Sequence, residues 1–135
     1  MKLNPYLNFN GQCEEAFKFY ERSLGGKIEY MATYAGTPSE QHVPPEQRNK
    51  IMHATLLLDG HTLQGADALG PQEAPKGFAV ALHLKDPAEA ERIFNEFSEG
   101  ATVQMPLQQT FWAARFGMLV DRFGIPWLFN CEPAS

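Results

Sequence analysis

Tyr6-Leu7-Asn8-Phe9, Glu14-Glu15-Ala16-Phe17 and Gly25-Gly26-Lys27-Ile28 read in turn as strand, helix, glycine stop and strand across residues 6–28. Residues 78–103 repeat that order in Phe78-Ala79-Val80-Ala81-Leu82, Ala88-Glu89-Ala90-Glu91 and Glu99-Gly100-Ala101-Thr102-Val103. One offset carries the first stretch onto the second. Leu7 precedes Leu82, and Ile28 precedes Val103, by 75 residues; Ala16 precedes Ala90, and Gly26 precedes Gly100, by 74. A unit of about half the chain, used twice, predicts a pseudo-symmetric fold built from two copies of one motif. Paired modules commonly make a cavity where they meet, so a cup at the join is expected.

Working outward, residues 3–9 alternate, with Pro5, Leu7 and Phe9 on an apolar face and Asn4, Tyr6 and Asn8 on a polar one. Period-two alternation is the mark of a strand with one buried face. Cys13, Ala16, Phe17, Tyr20 and Leu24 then form a single helical stripe that should lie on the sheet, and Gly25-Gly26 stops the helix. Ile28–Tyr34 reads as the second strand, and the proline-bearing stretch 35–50 as a long loop, either a binding lid or a simple excursion. Ile51–Leu58 reads as a strand with Met52, Ala54, Leu56 and Leu58 on one face and His53, Thr55 and Leu57 on the other. Asp59-Gly60 makes a hairpin into His61–Gly65, and residues 66–77 a linker.

The second copy opens with Phe78–Lys85, in which Phe78, Val80, Leu82 and Leu84 should pack on the helix while Ala79, Ala81, His83 and Lys85 face away. Asp86-Pro87-Ala88-Glu89 is a helix start, with an Asp cap, proline at the first helical position and glutamate where a capping box needs it. Strands near 102–108, 115–121 and 126–130 complete the copy, with Asp121-Arg122-Phe123-Gly124 as the last turn and Trp127 facing the helix. The expected class is α+β: two tandem βαβββ modules, about 1–67 and about 76–135, forming a curled mixed sheet within one domain spanning 1–135.

Length and charge narrow the functions. At 135 residues the chain can bury a proper core. A net charge of −5 without a basic run removes the electrostatic footprint of a nucleic-acid binder and disfavours anionic membranes. No apolar stretch is long enough to cross a bilayer, and Met1–Pro5 lacks an apolar signal core, so a cytoplasmic location is expected. Cys13 and Cys131 stand near opposite ends without metal-type spacing and read as buried free thiols.

Three groups of residues carry a family likeness. Tyr6-Leu7-Asn8-Phe9-Asn10-Gly11 with Glu15-Ala16, Phe19-Tyr20 and Leu24-Gly25-Gly26 resembles the opening of PhnB-like proteins. Ile51-Met52-His53-Ala54 and Leu63-Gln64-Gly65-Ala66-Asp67 resemble their third and fourth strands. Thr110 to Gly117 and Asp121 to Trp127 resemble their carboxy-terminal signature. The duplicated plan is similar to the vicinal oxygen chelate superfamily, which includes glyoxalase I, extradiol dioxygenases and bleomycin-resistance proteins. That resemblance implies a glyoxalase-like fold, a homodimer and, in the superfamily's enzymes, one divalent metal. Its four ligand positions carry over to about Asn4, Gln64, Ala79 and Leu128, where His or Glu is usual. Two neutral amides and two apolar side chains are a poor set for a transition metal. The resemblance also carries a methyltransferase label. The chain shows no glycine-rich strand-to-helix turn of the kind that cradles a nucleotide-like cofactor.

The polar face supplies the candidate ligand-binding residues: Asn4, Tyr6, Asn8, His53, Thr55, Gln64 and His83, with Trp112 at the cavity mouth. His53 and His83 are read as lying on equivalent inner strands. As a proton-transfer pair they are the catalytic candidates, and the alternative role for each is a polar cavity wall. The leading expectation is a binding protein for a small organic molecule, without the usual metal and with no cofactor. The alternative is a lyase or isomerase using His53 and His83, with or without a divalent metal displaced from the usual positions. Arg115 reads as a surface ion-pair partner, and Cys13, on a buried stripe, as an unreactive thiol.

Overall fold

The computed structural model describes residues 1–133, which divide into two compact units at Glu73/Ala74. The first unit runs β1 (Tyr6–Phe9), α1 (Cys13–Leu24), β2 (Lys27–Thr33), two 3-10 turns (Glu40–His42 and Pro45–Gln47), β3 (Ile51–Leu58) and β4 (His61–Asp67). The second runs β5 (Val80–Leu84), α2 (Pro87–Ser98), β6 (Thr102–Gln108), β7 (Arg115–Val120) and β8 (Pro126–Cys131). Each is a four-stranded mixed sheet with the same topology, β1-β4-β3-β2 and β5-β8-β7-β6. In each, the first strand lies parallel to the last and the other pairs are antiparallel. The chain is α+β and built of two βαβββ modules, as the repeat requires.

Each helix buries its apolar stripe on its own sheet. Cys13, Ala16, Phe17 and Tyr20 of α1 are fully buried, as are Ala90, Ile93 and Phe97 of α2, or nearly so. Phe17 meets Phe9 edge-to-face at 6.0 Å, and Phe97 meets Trp127 at 5.1 Å. Trp127 is therefore helix-facing core, and its Nε1–H donates to Asp121 Oδ2 at 2.9 Å. Gly25 takes the left-handed C-cap conformation at φ 76°. Gly26 serves a different need, because a Cβ there would run into the Leu57 carbonyl of β3.

The two helices start differently. Asp86 caps α2 from its own chain neighbourhood, accepting from Ala88 N–H at 3.0 Å, with Pro87 at the first position. Glu89 pairs with Arg92 at 4.0 Å. At the head of α1 the corresponding residue, Gln12, makes no side-chain cap. Its place is taken by Asp67 at the end of β4, whose Oδ1 accepts from Cys13 N–H at 2.9 Å. Asp67 Oδ2 accepts from Ile51 N–H at 2.8 Å, so one carboxylate, 4 % exposed, ties α1, β3 and β4 together. In the second unit the matching strand position holds Cys131, since Phe9 pairs with Asp67 as Leu84 pairs with Cys131.

Four expectations need correction. The first strand is Tyr6–Phe9, without residues 3–5. Ala66 and Asp67 belong to β4 rather than to a linker, because the β1 ladder continues to Phe9↔Asp67. Phe78 is exposed rather than packed on α2, because pairing with β8 begins only at Val80↔Trp127. His83 is not on a strand equivalent to that of His53. It lies on β5, an edge strand whose counterpart is β1, whereas β3 is an inner strand. The 35–50 loop is organised. Arg48 Nε–H donates to the Glu40 and Val43 carbonyls at 3.1 and 3.0 Å, and Val43 is buried.

Replacing Asp67 by Ala strands two backbone N–H groups and should cost about 2 kcal/mol or more in urea unfolding. Asp86→Ala, at an exposed cap, should cost about 1 kcal/mol. Equal losses would show that Asp67 serves only as a helix cap.

Candidate functional site

Side chains directly opposite one another across strands share a sheet face. In the first unit one such row crosses all four strands: Tyr6 on β1 opposes Gln64 on β4, Gln64 opposes Thr55 on β3, and Thr55 opposes Tyr30 on β2. The aromatic groups stand on the edge strands and the polar groups on the inner ones. An open groove of about 520 Å³ lies over this face, lined by Lys2, Asn4, Glu29, Tyr30, His53, Thr55, Thr62 and Gln64. That volume lies within the range of small-molecule sites.

Tyr30 reaches this face through a bulge. Ile28 pairs with Leu56 and Tyr30 with Thr55, so two residues on β2 span one step on β3. In a regular strand Ile28 and Tyr30 would share a face; the extra residue, Glu29, turns Tyr30 onto the side opposite the buried Leu56. Plain alternation therefore could not find Tyr30, and its signal lies only in the pairing. Lys2, Glu29 and Thr62 were also missed as lining groups.

His53 sits beside the row, opposite Ala32. Its Nδ1 is 3.2 Å from Tyr6 Oη and its Nε2 is 3.1 Å from Thr55 Oγ1. Its ring lies 5.7 Å from that of Tyr6 and 6.0 Å from that of Tyr30. Burial above all, with Cys13 and Tyr34 adding, raises the Tyr6 phenol above its ordinary value, so Tyr6 keeps its proton. The phenol and the Thr55 hydroxyl can each donate or accept, so each fits either tautomer of the ring. Both ring nitrogens are thus engaged, and the ring is held as a flat wall of the groove.

The first unit brings Asn4, His53, Thr55 and Gln64 together around the groove, with Tyr6 joined to them through His53. Asn8 is exposed one alternation further along β1 and is not among the lining groups. His83 is exposed in the second unit, its Nδ1 3.5 Å from Asn130 Nδ2. Trp112 meets Phe111 and Phe116 edge-to-face at 4.9 and 5.3 Å in the same unit. Arg115 Nε pairs with Glu91 at 2.9 Å across α2 and β7.

The second unit repeats the bulge but not the chemistry. Val103 pairs with Leu119 and Met105 with Met118, and the row matching Tyr6–Gln64–Thr55–Tyr30 is Ala81–Leu128–Met118–Met105. The shared register confirms that Gln64 and Leu128 are equivalent positions. The resemblance carries the superfamily's metal positions to about Asn4, Gln64, Ala79 and Leu128, which offer two amides and two side chains without a donor. They do not fit a transition metal. Among the described residues, no three His, Cys, Asp or Glu side chains converge on a metal-sized site.

The two βαβββ modules define a glyoxalase-like fold, and comparison with known proteins agrees. The chain covers 98 % of, and is covered 98 % by, protein PA1353 from Pseudomonas aeruginosa, with 46 % identity and a TM-score of 0.89. The fold alone extends to a putative 3-demethylubiquinone-9 3-methyltransferase, PhnB protein, from Bacillus cereus, with 21 % identity, a TM-score of 0.84 and coverage of 98 % and 100 %. It extends further to the fosfomycin resistance protein FosX from Listeria monocytogenes, with 10 % identity, a TM-score of 0.67 and coverage of 98 % and 93 %. In sequence the chain is 32 % identical to protein YjdN of Escherichia coli K12, over 96 % of this chain and 95 % of that one. The 3-demethylubiquinone-9 3-methyltransferase family matches residues 1–129, and the chain belongs to that family.

Neither cysteine adds a nucleophile. Burial first, then the nearby Asp67 carboxylate, pushes the Cys13 thiol far up; burial, then Asp86, raises Cys131 against an opposing pull from Arg115. A raised thiol favours the folded state below the ordinary thiol range, and that contribution is lost as pH climbs through the folded value. Iodoacetamide at pH 8 should leave Cys13 unmodified in the native chain and alkylate it in urea, as read by mass spectrometry. Rapid native alkylation would show a thiol open to solvent.

Proposed function

We propose that this PhnB-like protein binds a small organic molecule in the groove on the polar face of its first sheet, without a metal at the superfamily's usual positions. The observation that carries this reading is the Tyr6–Gln64–Thr55–Tyr30 row. Its groups carry hydrogen-bonding atoms, and all but the buried Thr55 are partly open to solvent, whereas the matching row of the second unit is apolar. A duplicated fold has no structural need for hydrogen-bonding groups on one copy alone. The partners on this reading are the ligand and a second copy of the chain. The exposed aromatic pair Phe111 and Trp112, 96 % and 47 % accessible, favours self-association.

The activity in the family's name is not the one proposed. The β1-to-α1 turn contains one glycine, Gly11, and the head of α1 already holds the chain's own Asp67 carboxylate. A second reading rests on the Tyr6–His53–Thr55 chain of hydrogen bonds, which could pass a proton to a substrate above Thr55 in lyase or isomerase chemistry. On that reading His53→Gln abolishes turnover while leaving ligand affinity within a few-fold.

A fragment library screened by amide NMR should give hits that shift Asn4, Thr55 and Gln64, and Gln64→Leu should abolish those shifts. Hits mapping elsewhere, or none at all, would remove the groove from consideration. Sedimentation velocity should show a dimer that Phe111→Ser/Trp112→Ser weakens; a wild-type monomer would dismiss the second copy as a partner.

A further inference from the structure

The groups over the groove restrict the chemistry of what it can hold. Resting on the binding reading above, we propose that the ligand is uncharged and planar, with one edge carrying both a hydrogen-bond donor and an acceptor, as in an aromatic or cyclic amide.

Three observations converge on this class. First, the charges lining the groove cancel, because Lys2 and Glu29 contribute one of each sign. His53 is committed through both nitrogens to Tyr6 and Thr55. A charged ligand would lose hydration here and find no unopposed counter-charge. Second, the centre of the row is Gln64 beside Thr55. A primary amide offers a carbonyl acceptor and an NH₂ donor on one plane, and the hydroxyl offers either role. The complement of that pair is a ligand edge that also presents one of each. Third, the walls are flat. Tyr30 is 50 % exposed although its backbone is paired within the sheet, and the His53 ring stands 6.0 Å from its ring. His53 therefore offers its face rather than a free nitrogen. Exposed aromatic faces beside a polar floor favour a flat molecule that stacks while its edge hydrogen-bonds.

Three probes of similar size separate these features. Nicotinamide is planar, neutral and carries the donor–acceptor amide. Nicotinate keeps the ring and replaces the amide by a carboxylate. Cyclohexanecarboxamide keeps the amide and loses the flat ring. In NMR titrations of the full chain, nicotinamide should shift the Gln64 side-chain amide and the Tyr30 ring protons. The other two should bind about tenfold more weakly. Tyr30→Leu should erase the difference between nicotinamide and cyclohexanecarboxamide, with the amide spectrum reporting that the variant is folded. If nicotinate or cyclohexanecarboxamide binds as tightly as nicotinamide, the ligand class is overturned while the groove stands as a binding site. If none of the three disturbs Gln64 or Tyr30, the class and the binding reading both fall.

Discussion

Strand pairing leaves a sheet little freedom, since a shift of one residue turns every side chain to the other face. The extra residue in β2, Glu29, uses that rigidity. It keeps Ile28 against the core side of the sheet, opposite Leu56, and delivers Tyr30 to the polar side, opposite Thr55. The aromatic wall that Tyr30 gives the groove, 6.0 Å from the His53 ring, depends on that inversion. The second unit carries the same inversion at Gln104, between Val103 and Met105. The bulge is thus a property of the module rather than of the site, and the site is what the first module built upon it.

Duplication has left the backbone solution intact and allowed the side chains to part. The registers Tyr6↔Gln64 and Ala81↔Leu128 show the parting most clearly, since both are parallel pairs between the first and last strands of their sheets. The helix heads parted in a complementary way. In the first unit Asp67 reaches from β4 to cap α1; in the second Cys131 stands at that point and α2 caps itself with Asp86. Each solution satisfies the helix's first amides, which would otherwise be left without partners. Asp67 does more, because its second oxygen holds the start of β3 two residues before His53.

Much of the fold was legible because it rests on local patterns. The stripes of α1 and α2, the Asp86-Pro87 start, the stop at Gly25 and the alternation of β3 all follow from backbone geometry that the chain announces within a few residues. The candidate site was half legible. Asn4, His53, Thr55 and Gln64 were found because alternation puts them opposite apolar neighbours. Tyr30 and Asp67 were not, since one depends on a bulge and the other on a carboxylate reaching a helix distant in sequence. His83 was misplaced for a related reason: strand identity within a sheet is set by pairing order, which alternation does not encode.

The sequence by itself determined the two βαβββ modules and their apolar faces, because periodicity and residue type are local properties. Only the tertiary structure decided which polar residues share a row, which nitrogens of His53 are engaged and which carboxylate closes α1. Those depend on register and on long-range hydrogen bonds, where a shift of one residue exchanges the core for the groove.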